Sequence, residues 1–314
     1  MILVVALNPA LDITHHVPGV DWTGTNRAAA VETRPGGKGL NVARTLQAIG
    51  AKVTVTGLAG GAAGEEVAAG LAAAGVAAAF TRIRGQTRRT FAVVDTERND
   101  AALFNEPGAL VEPADYAKFL VRYEQELNGS RAVVLSGSLP PGLGPDTYAE
   151  LAASSAAAGV PVVLDAHGEA LARGAAAGPA IVKPNLAELE ALAGRSLSGA
   201  DGADVEAVAE AARQLRVSGP GAVVVSLGAE GLWAVTGDGS WQAVPPEPVA
   251  GNPIGAGDAV VAGLAHGLVL NRPWDERLRH AVALGTASAA APVAGEFSHA
   301  QYVELLPGVK VRRC

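Results

Sequence analysis

The chain is poor in cysteine and lysine, and each shortage excludes a class of protein. Its one cysteine is Cys314, so the chain forms no internal disulfide and has no cysteine cluster for zinc. It has only five lysines and a formal net charge of -7 at pH 7. That charge disfavours nucleic acid as a partner, because such binding depends on clustered basic residues. A reducing compartment suits this cysteine usage, and we expect a cytoplasmic protein.

Long hydrophobic runs and the common nucleotide-binding motifs are also missing. The apolar segment 1–7 is too short for a membrane span and lacks the basic residues of a signal peptide. We therefore expect a buried strand there and no membrane contact. The sequence has no G-x-x-x-x-G-K-[ST] phosphate loop and no G-x-G-x-x-G motif. The adjacent pair His15 and His16 would point to opposite faces of a strand, so we expect no metal site there.

Apolar, β-rich segments alternate with alanine-rich ones, and 49% of the residues are hydrophobic. We predict strands at 2–7, 53–57, 132–136, 160–165, 180–183 and 222–226. We predict helices at 40–49, 65–74, 113–127, 146–158, 186–193, 204–217, 258–270, 274–290 and 299–305. Strands that are apolar throughout favour a parallel sheet covered on both faces, so the predicted fold is α/β, doubly wound, with a mostly parallel sheet flanked by helices.

Two segments, at about 12–34 and 87–106, break this alternation. Within the second, 90–95 and 101–105 are separated by polar residues and predict a β-hairpin. We therefore expect a single domain over 1–314 with a small β-sheet lid built from the two segments.

The segment 251–263 is the most informative in the chain. Gly255, Ala256 and Gly257 precede Asp258 and then an apolar run long enough for a helix. Backbone amides at a helix N-terminus bind anions, and a carboxylate beside them can take a proton from a hydroxyl. This combination suits phosphoryl transfer. Taken alone, the segment is equally an ordinary helix start with an acid in its first turn.

A second glycine-rich turn opens the helix predicted at 40–49. Gly36 and Gly37 leave amides exposed, and Lys38 and Asn41 suit a polyhydroxylated or phosphorylated ligand. An ordinary turn with a solvated lysine is the alternative.

Further along the chain, Asn185 and Glu188 stand three residues apart at a helix start, close behind Lys183. Their oxygens suit Mg²⁺ and its waters, but a capping box explains the same pair equally well. Serine- and glycine-rich turns at 136–142 and 226–231 follow predicted strands, at the edge where open α/β sheets bind ligands.

Two adjacent arginines open the predicted hairpin. Arg88 and Arg89 project from opposite faces of a strand, so at most one of them faces a ligand. Arginine is the natural bidentate partner of a phosphate.

With these motifs in order, the chain resembles the ribokinase-like (PfkB) carbohydrate kinases over nearly its whole length. The resemblance rests on the motifs at 8–12, 36–44, 136–142, 183–185 and 255–258. The first and third are similar to the branch that phosphorylates sugar phosphates, which includes 1-phosphofructokinases, tagatose-6-phosphate kinases and a minor 6-phosphofructokinase.

The resemblance implies a role for each matching residue. Asp258 corresponds to the catalytic base, and the amides of Gly255, Ala256 and Gly257 to the anion hole for the transferred phosphate. The substrate-binding positions are Asp12, Arg27, Gly36, Gly37, Lys38, Asn41, Arg88 and Ser138, among which Arg27, Arg88 and Ser138 hold the phosphate already on the sugar. The nucleotide-binding positions are Lys183, Asn185, Ser226, Gly228 and Gly231, and Asn185 and Glu188 hold Mg²⁺ through water.

The implied activity is an ATP- and Mg²⁺-dependent conversion of fructose 1-phosphate to fructose 1,6-bisphosphate, with a possible homodimer through the lid. Tagatose 6-phosphate and fructose 6-phosphate are alternative substrates. A kinase for an unphosphorylated sugar or nucleoside and a non-catalytic sugar-phosphate sensor are further alternatives.

Three departures from the family pattern bear on the substrate and leave the reaction unchanged. Ala259 replaces a serine common in 1-phosphofructokinases, and Asn252-Pro253 is similar to tagatose-6-phosphate kinases. Asp-Ala-His-Gly at 165–168 stands where many relatives have Asp-Thr-Ser-Gly.

Overall fold

The computed structural model describes residues 1–98, 100–199, 202–247, 249, 254–291 and 295–314. The strands within those residues are β1 (Ile2–Ala6), β2 (Ala10–Val17), β3 (Ala30–Gly36), β4 (Val53–Ala59), β5 (Ala77–Arg82), β6 (Arg88–Asp95), β7 (Asp100–Asn105), β8 (Ala132–Ser136), β9 (Val162–Asp165), β10 (Ile181–Val182), β11 (Ser198–Gly199), β12 (Gly202–Ala203), β13 (Ala222–Ser226), β14 (Leu232–Thr236), β15 (Gly239–Val244) and β16 (Lys310–Arg313). The helices are α1 (Lys38–Ala48), α2 (Gly61–Ala73), α3 (Pro113–Leu127), α4 (Thr147–Ala157), α5 (Gly168–Ala176), α6 (Leu186–Ala193), α7 (Val205–Val217), α8 (Ala256–Val269), α9 (Trp274–Ala289) and α10 (His299–Leu305).

A ten-stranded sheet forms the centre of the molecule. Strands β13, β10, β9, β8, β1, β4 and β5 lie side by side in that order and are parallel. Strands β14, β15 and β16 extend the sheet beyond β13 with antiparallel pairing. The predicted doubly wound, mostly parallel α/β fold is therefore confirmed, and the antiparallel extension is an addition to it.

Both faces of the central sheet are buried under helices. On β1, Ile2 and Val4 contribute to the core that includes residues of α1, α8 and α9, while Leu3 and Val5 contribute to the core that includes residues of α3, α4 and α5. Side chains alternate between the faces of a strand, so an uninterrupted apolar strand needs a cover on each side. This is the layered packing that the apolar runs predicted. No described helix is long and apolar enough to cross a membrane.

A separate four-stranded sheet has the order β3, β2, β6, β7. Strands β6 and β7 pair antiparallel from Thr90 opposite Asn105 to Asp95 opposite Asp100, as the predicted hairpin requires. Its turn includes Asn99, which lies outside the described residues. The strands of this sheet come largely from the two segments predicted to form a lid. That the sheet closes over a ligand stays a prediction.

Several predicted boundaries were wrong by a few residues, and prolines explain two of them. The strand predicted at 160–165 begins only at Val162, after Pro161, and the strand predicted at 180–183 ends at Val182, before Pro184. Proline has no amide hydrogen to donate to the sheet. Helix α1 begins two residues earlier than predicted because Gly37, with φ of 91°, turns the chain into it. Helix α5 and strands β5, β11, β12, β14, β15 and β16 were not predicted.

Candidate active site

The two glycine-rich turns predicted from the sequence start neighbouring helices. Gly37 precedes α1, and Gly255, with φ of 89°, precedes α8. A Cβ on Gly39 would lie 3.0 Å from the Cβ of Ala6, so glycine lets α1 lie close against β1. Helices α1 and α8 also pack against each other, and Asn41 Nδ2 donates a hydrogen bond of 2.9 Å to Asp258 Oδ2. The fold thus brings together two residues that are 217 positions apart.

Asp258 is 6% exposed, and its surroundings make it a weak acid. Burial raises the pKa of Asp258 to about 7, and the negative charge of Asp165 adds to the rise. The hydrogen bond from Asn41 and the charges of Lys38 and Lys183 oppose it. A carboxyl group that titrates near neutral pH is well matched to accepting a proton from a hydroxyl.

Asp165, at the end of β9, is the main site residue that the sequence analysis did not assign. Its Oδ1 lies 3.2 Å from Lys183 Nζ and 3.5 Å from Lys38 Nζ, and its Oδ2 accepts a hydrogen bond of 3.4 Å from Ser136 Oγ. Burial acts to raise the pKa of Asp165, but the two lysines outweigh it and hold that pKa below its usual value. An acid at the carboxyl end of a parallel strand was the signal available for finding it.

The two lysines come from different motifs and border the glycine-rich turn that starts α8. Lys183 is 3% exposed, and its Nζ lies 3.8 Å from where a Cβ on Gly257 would be. Lys38 Nζ lies 3.7 Å from Glu188 Oε1 as well as beside Asp165. Two ammonium groups next to exposed amides of a helix start create an environment suited to phosphate groups.

Asn185 and Glu188 form a capping box, which was one of the two interpretations of this pair in the sequence, beside a Mg²⁺ site. Asn185 N donates to Glu188 Oε2 and Glu188 N donates to Asn185 Oδ1, each at 2.8 Å. Glu188 Oε1 remains directed toward Lys38, so the cap does not use up the carboxylate. In the part of the chain that the structure describes, no group of three or more His, Cys, Asp or Glu residues is placed to hold a metal. The oxygens of Asn185 and Glu188 are of the kind that Mg²⁺ takes when it keeps several waters.

A cavity of about 480 Å³ opens beside this cluster. Its lining includes Gly37, Lys38, Arg88 and Ser138, which are four of the predicted substrate positions, together with Asn8, Glu106 and His167.

Hydrogen bonds fix the side chains of this cavity. Arg88 donates from Nε to the carbonyl of Asn8 at 3.1 Å and from Nη1 to that of Glu106 at 3.4 Å. Asn8 Nδ2 donates to Ser138 Oγ at 3.1 Å. Arg89 is exposed and does not line the cavity, whereas Arg88 does. That at most one of the two arginines faces a ligand stays a prediction.

The other predicted substrate residues differ in their placement. Asp12 lies against Gly36, where a Cβ would be 1.9 Å from Asp12 Oδ2, so only glycine leaves room for that carboxylate. Burial raises the pKa of Asp12, against a hydrogen bond from Thr90 and the charges of nearby arginines that include Arg88. Arg27 is exposed in the loop between β2 and β3 and does not line the cavity.

Among the predicted nucleotide residues, Asn185 and Ser226 lie side by side. Ser226 N donates to the carbonyl of Pro184 at 3.0 Å, and Asn185 and Ser226 pair as an isolated parallel bridge. Gly228 and Gly231, with φ of 60° and 88°, turn the chain from β13 into β14. Asn252-Pro253, which precedes the glycine-rich turn at the start of α8 in the sequence, lies outside the described residues.

A doubly wound sheet, a buried acid in the first turn of a glycine-led helix, and two lysines beside that turn define a phosphotransferase that acts on a hydroxyl group. The sequence model described as pfkB family carbohydrate kinase matches residues 5–300, and the chain belongs to that family.

The proteins to which the chain is similar include phosphofructokinases. A 1-phosphofructokinase of Rhodobacter capsulatus is 42% identical over 294 residues, which are 93% of this chain and 92% of that protein. Phosphofructokinase-2 of Escherichia coli, crystallised with fructose-6-phosphate, is 32% identical with a TM-score of 0.87 and 98% of each chain covered. A possible 1-phosphofructokinase of Thermotoga maritima is 26% identical with a TM-score of 0.86, covering 100% of this chain and 99% of the other.

Proposed function

We propose that the protein is an ATP- and Mg²⁺-dependent kinase that converts fructose 1-phosphate to fructose 1,6-bisphosphate. The observation that carries this proposal is the pairing of Asp258 with Asn41 beside a cavity that contains Lys38, Arg88 and Ser138. The 42% identical 1-phosphofructokinase of Rhodobacter capsulatus supports the choice of sugar.

In the proposed mechanism, Asp258 accepts the proton of the acceptor hydroxyl as the phosphoryl group is transferred. The amides of Gly255, Ala256 and Gly257, with Lys183 beside them, stabilise negative charge on the transferred group. Arg88 and Ser138 hold the phosphate already on the sugar. A bound Mg²⁺ would neutralise charge on the nucleotide phosphates, and Asn185 and Glu188 would hold it through water.

The remaining predicted residues complete the two substrate sites. On the acceptor side, Asp12 and Asn41 contact the sugar, and Gly36 and Gly37 give its hydroxyls access to the backbone. On the nucleotide side, Ser226, Gly228 and Gly231 form the turn against which ATP lies. The small sheet acts as a lid that excludes water, which would otherwise hydrolyse ATP.

A homodimer through the small sheet is part of the proposal. Large apolar side chains in this part of the molecule are exposed, with Trp22 at 65%, Val31 at 55% and Phe104 at 53%. Exposed apolar clusters of this kind mark protein interfaces. Arg27 belongs to the same exposed loop as Trp22. Light scattering of the wild-type protein and of Val31→Glu tests the dimer, which the charged variant should dissociate.

Fructose 6-phosphate is the second candidate acceptor, because the E. coli relative was crystallised with it. Tagatose 6-phosphate follows. A kinase for an unphosphorylated sugar would not need Arg88 and Lys38 in one cavity, and a non-catalytic sensor would not need Asp258.

An ATP-consumption assay over fructose 1-phosphate, fructose 6-phosphate, tagatose 6-phosphate and free fructose tests the function. We expect the highest kcat/KM for fructose 1-phosphate and little turnover of free fructose. Equal turnover of free and phosphorylated fructose would contradict the proposal, and so would turnover of none of them.

A further inference from the structure

His167 is a cavity residue to which the proposed mechanism gives no role. It follows the buried end of β9 and lines the cavity together with Lys38, Arg88 and Ser138. The predicted nucleotide residues Lys183, Asn185, Ser226, Gly228 and Gly231, all within the described ranges, do not line that cavity. His167 therefore belongs to the acceptor side of the site.

Helix α5 does not explain why a histidine stands at this position. His167 is the N-cap of α5, yet its side chain makes no capping hydrogen bond. Serine, asparagine and aspartate cap helices better than other residues because their short side chains reach the free amides of the first turn. His167 makes no capping bond and faces the cavity, so the helix start does not account for its imidazole.

The cations of the cavity have protein partners as well as donors left for a ligand, whereas the imidazole of His167 has no protein partner among the described residues. Arg88 donates to two backbone carbonyls, and Lys38 lies between the carboxylates of Asp165 and Glu188. Among the described residues, the side chain of His167 has no hydrogen-bond or ion-pair partner, and the residue is exposed to the cavity. Its ring offers one donor and one acceptor when neutral, which suits a sugar hydroxyl or a phosphate oxygen.

We propose that His167 is a specificity-determining residue that contacts the phosphorylated ketohexose and helps to select it from its isomers. The inference rests on the proposed function, because it requires a phosphorylated ketohexose as the acceptor. It assigns a function to His167 in the Asp-Ala-His-Gly segment at 165–168.

The test compares wild type, His167→Ser and His167→Asn on fructose 1-phosphate, fructose 6-phosphate and tagatose 6-phosphate. We expect the KM for the preferred acceptor to rise about 10-fold or more, since a hydrogen bond to a charged ligand is lost. The KM for ATP should change less than about 2-fold. Calorimetric binding of the preferred acceptor without ATP should weaken by the same factor. Both variants should melt no lower than wild type, because serine and asparagine are better N-caps.

His299→Ser is the matched control, because His299 is exposed on α10 and does not line the cavity. If the wild type is active and both variants keep its preference among the three acceptors, the role of His167 is overturned and the proposed function still stands. Equal rises in KM for ATP and acceptor would overturn it as well. A wild type that accepts none of the three would overturn the proposed function and this inference together.

Discussion

Asn41, in the first turn of α1, donates its Nδ2 hydrogen to Oδ2 of Asp258, in the first turn of α8, over 2.9 Å. Burial and the charge of Asp165 raise the pKa of Asp258. The hydrogen bond from Asn41 opposes this rise because it stabilises the charged carboxylate. Asn41, at the start of α1, therefore holds the pKa of Asp258, at the start of α8, below the value that burial and Asp165 alone would give it.

Asn41→Ala should move the pH dependence of the reaction. A base must be deprotonated to work, so kcat should rise with pH through the pKa of Asp258, which is about 7. Without the bond from Asn41 this pKa is higher, and the rising limb should shift to higher pH. The measurement is a kcat profile from pH 5 to 9, with the exposed residue changed in Asn128→Ala as control. An unshifted profile in Asn41→Ala would show that Asn41 does not act through Asp258.

Arg88→Ala should raise the KM for the sugar phosphate about 10- to 100-fold and change the KM for ATP little. The guanidinium lines the acceptor cavity, and an arginine–phosphate contact is charge-assisted and often bidentate. Its neighbour Arg89 is exposed and provides the control, since Arg89→Ala carries the same loss of charge. Steady-state kinetics with each substrate varied in turn makes the comparison. Equal effects of the two substitutions would remove Arg88 from the phosphate site.

Lys183→Met should destabilise the protein by about 3 kcal/mol at pH 7, because it leaves the buried carboxylate of Asp165 with only Lys38 as counter-charge. The folded-state pKa of Asp165 is lowered, so this stabilisation is present above the unfolded pKa near 3.8 and is lost as pH falls through the folded value. Urea unfolding at pH 7 and at pH 3.5 should show a large difference from wild type that shrinks in acid. Lys38→Met, whose side chain is 37% exposed, should cost less. The same loss at both pH values would contradict the assigned ion pair.

Gly231→Ala should weaken both stability and ATP binding. At Gly231 φ is 88° and an added Cβ would lie 2.1 Å from the carbonyl oxygen of Ala243, so the turn must move. At Gly228, where φ is 60°, an added Cβ would have no atom within 4 Å. Gly228→Ala should therefore cost only about 1 to 2 kcal/mol of backbone strain. Thermal melts and the KM for ATP of both variants separate the two effects. A Gly228→Ala variant as impaired as Gly231→Ala would argue against the packing explanation.

The sequence predicted the parts of the site that depend on local pattern. Glycines before apolar runs located the starts of α1 and α8, and the small sheet followed from polar, strand-like segments that interrupt the helices. The contact between Asn41 and Asp258 was not predictable from either segment alone. It depends on α1 and α8 lying side by side, which follows from the strand order of the sheet.

The role of Asp165 was missed for the same physical reason. Its two lysines come from α1 and from the end of β10, and only the order β8, β9, β10 brings their ammonium groups to one carboxylate. Helix α5 was missed because it is only nine residues long and contains Gly168 and Gly174, and glycine is a poor helix former. Strands β15 and β16 were missed because polar residues interrupt their apolar positions. Strand β14 is apolar and buried, but it is only five residues long and directly follows the glycine-rich turn at 226–231.

The most direct test of the account is the rate of ATP-dependent phosphorylation of fructose 1-phosphate by Asp258→Asn at saturating substrates. Loss of the general base should lower kcat about 10²- to 10⁴-fold. The variant should remain folded and melt at a higher temperature than wild type at pH 8. The raised pKa of Asp258 means that its ionisation destabilises the folded protein as pH rises through about 7, and asparagine does not ionise. A folded Asp258→Asn enzyme that keeps near-normal turnover would contradict the central claim.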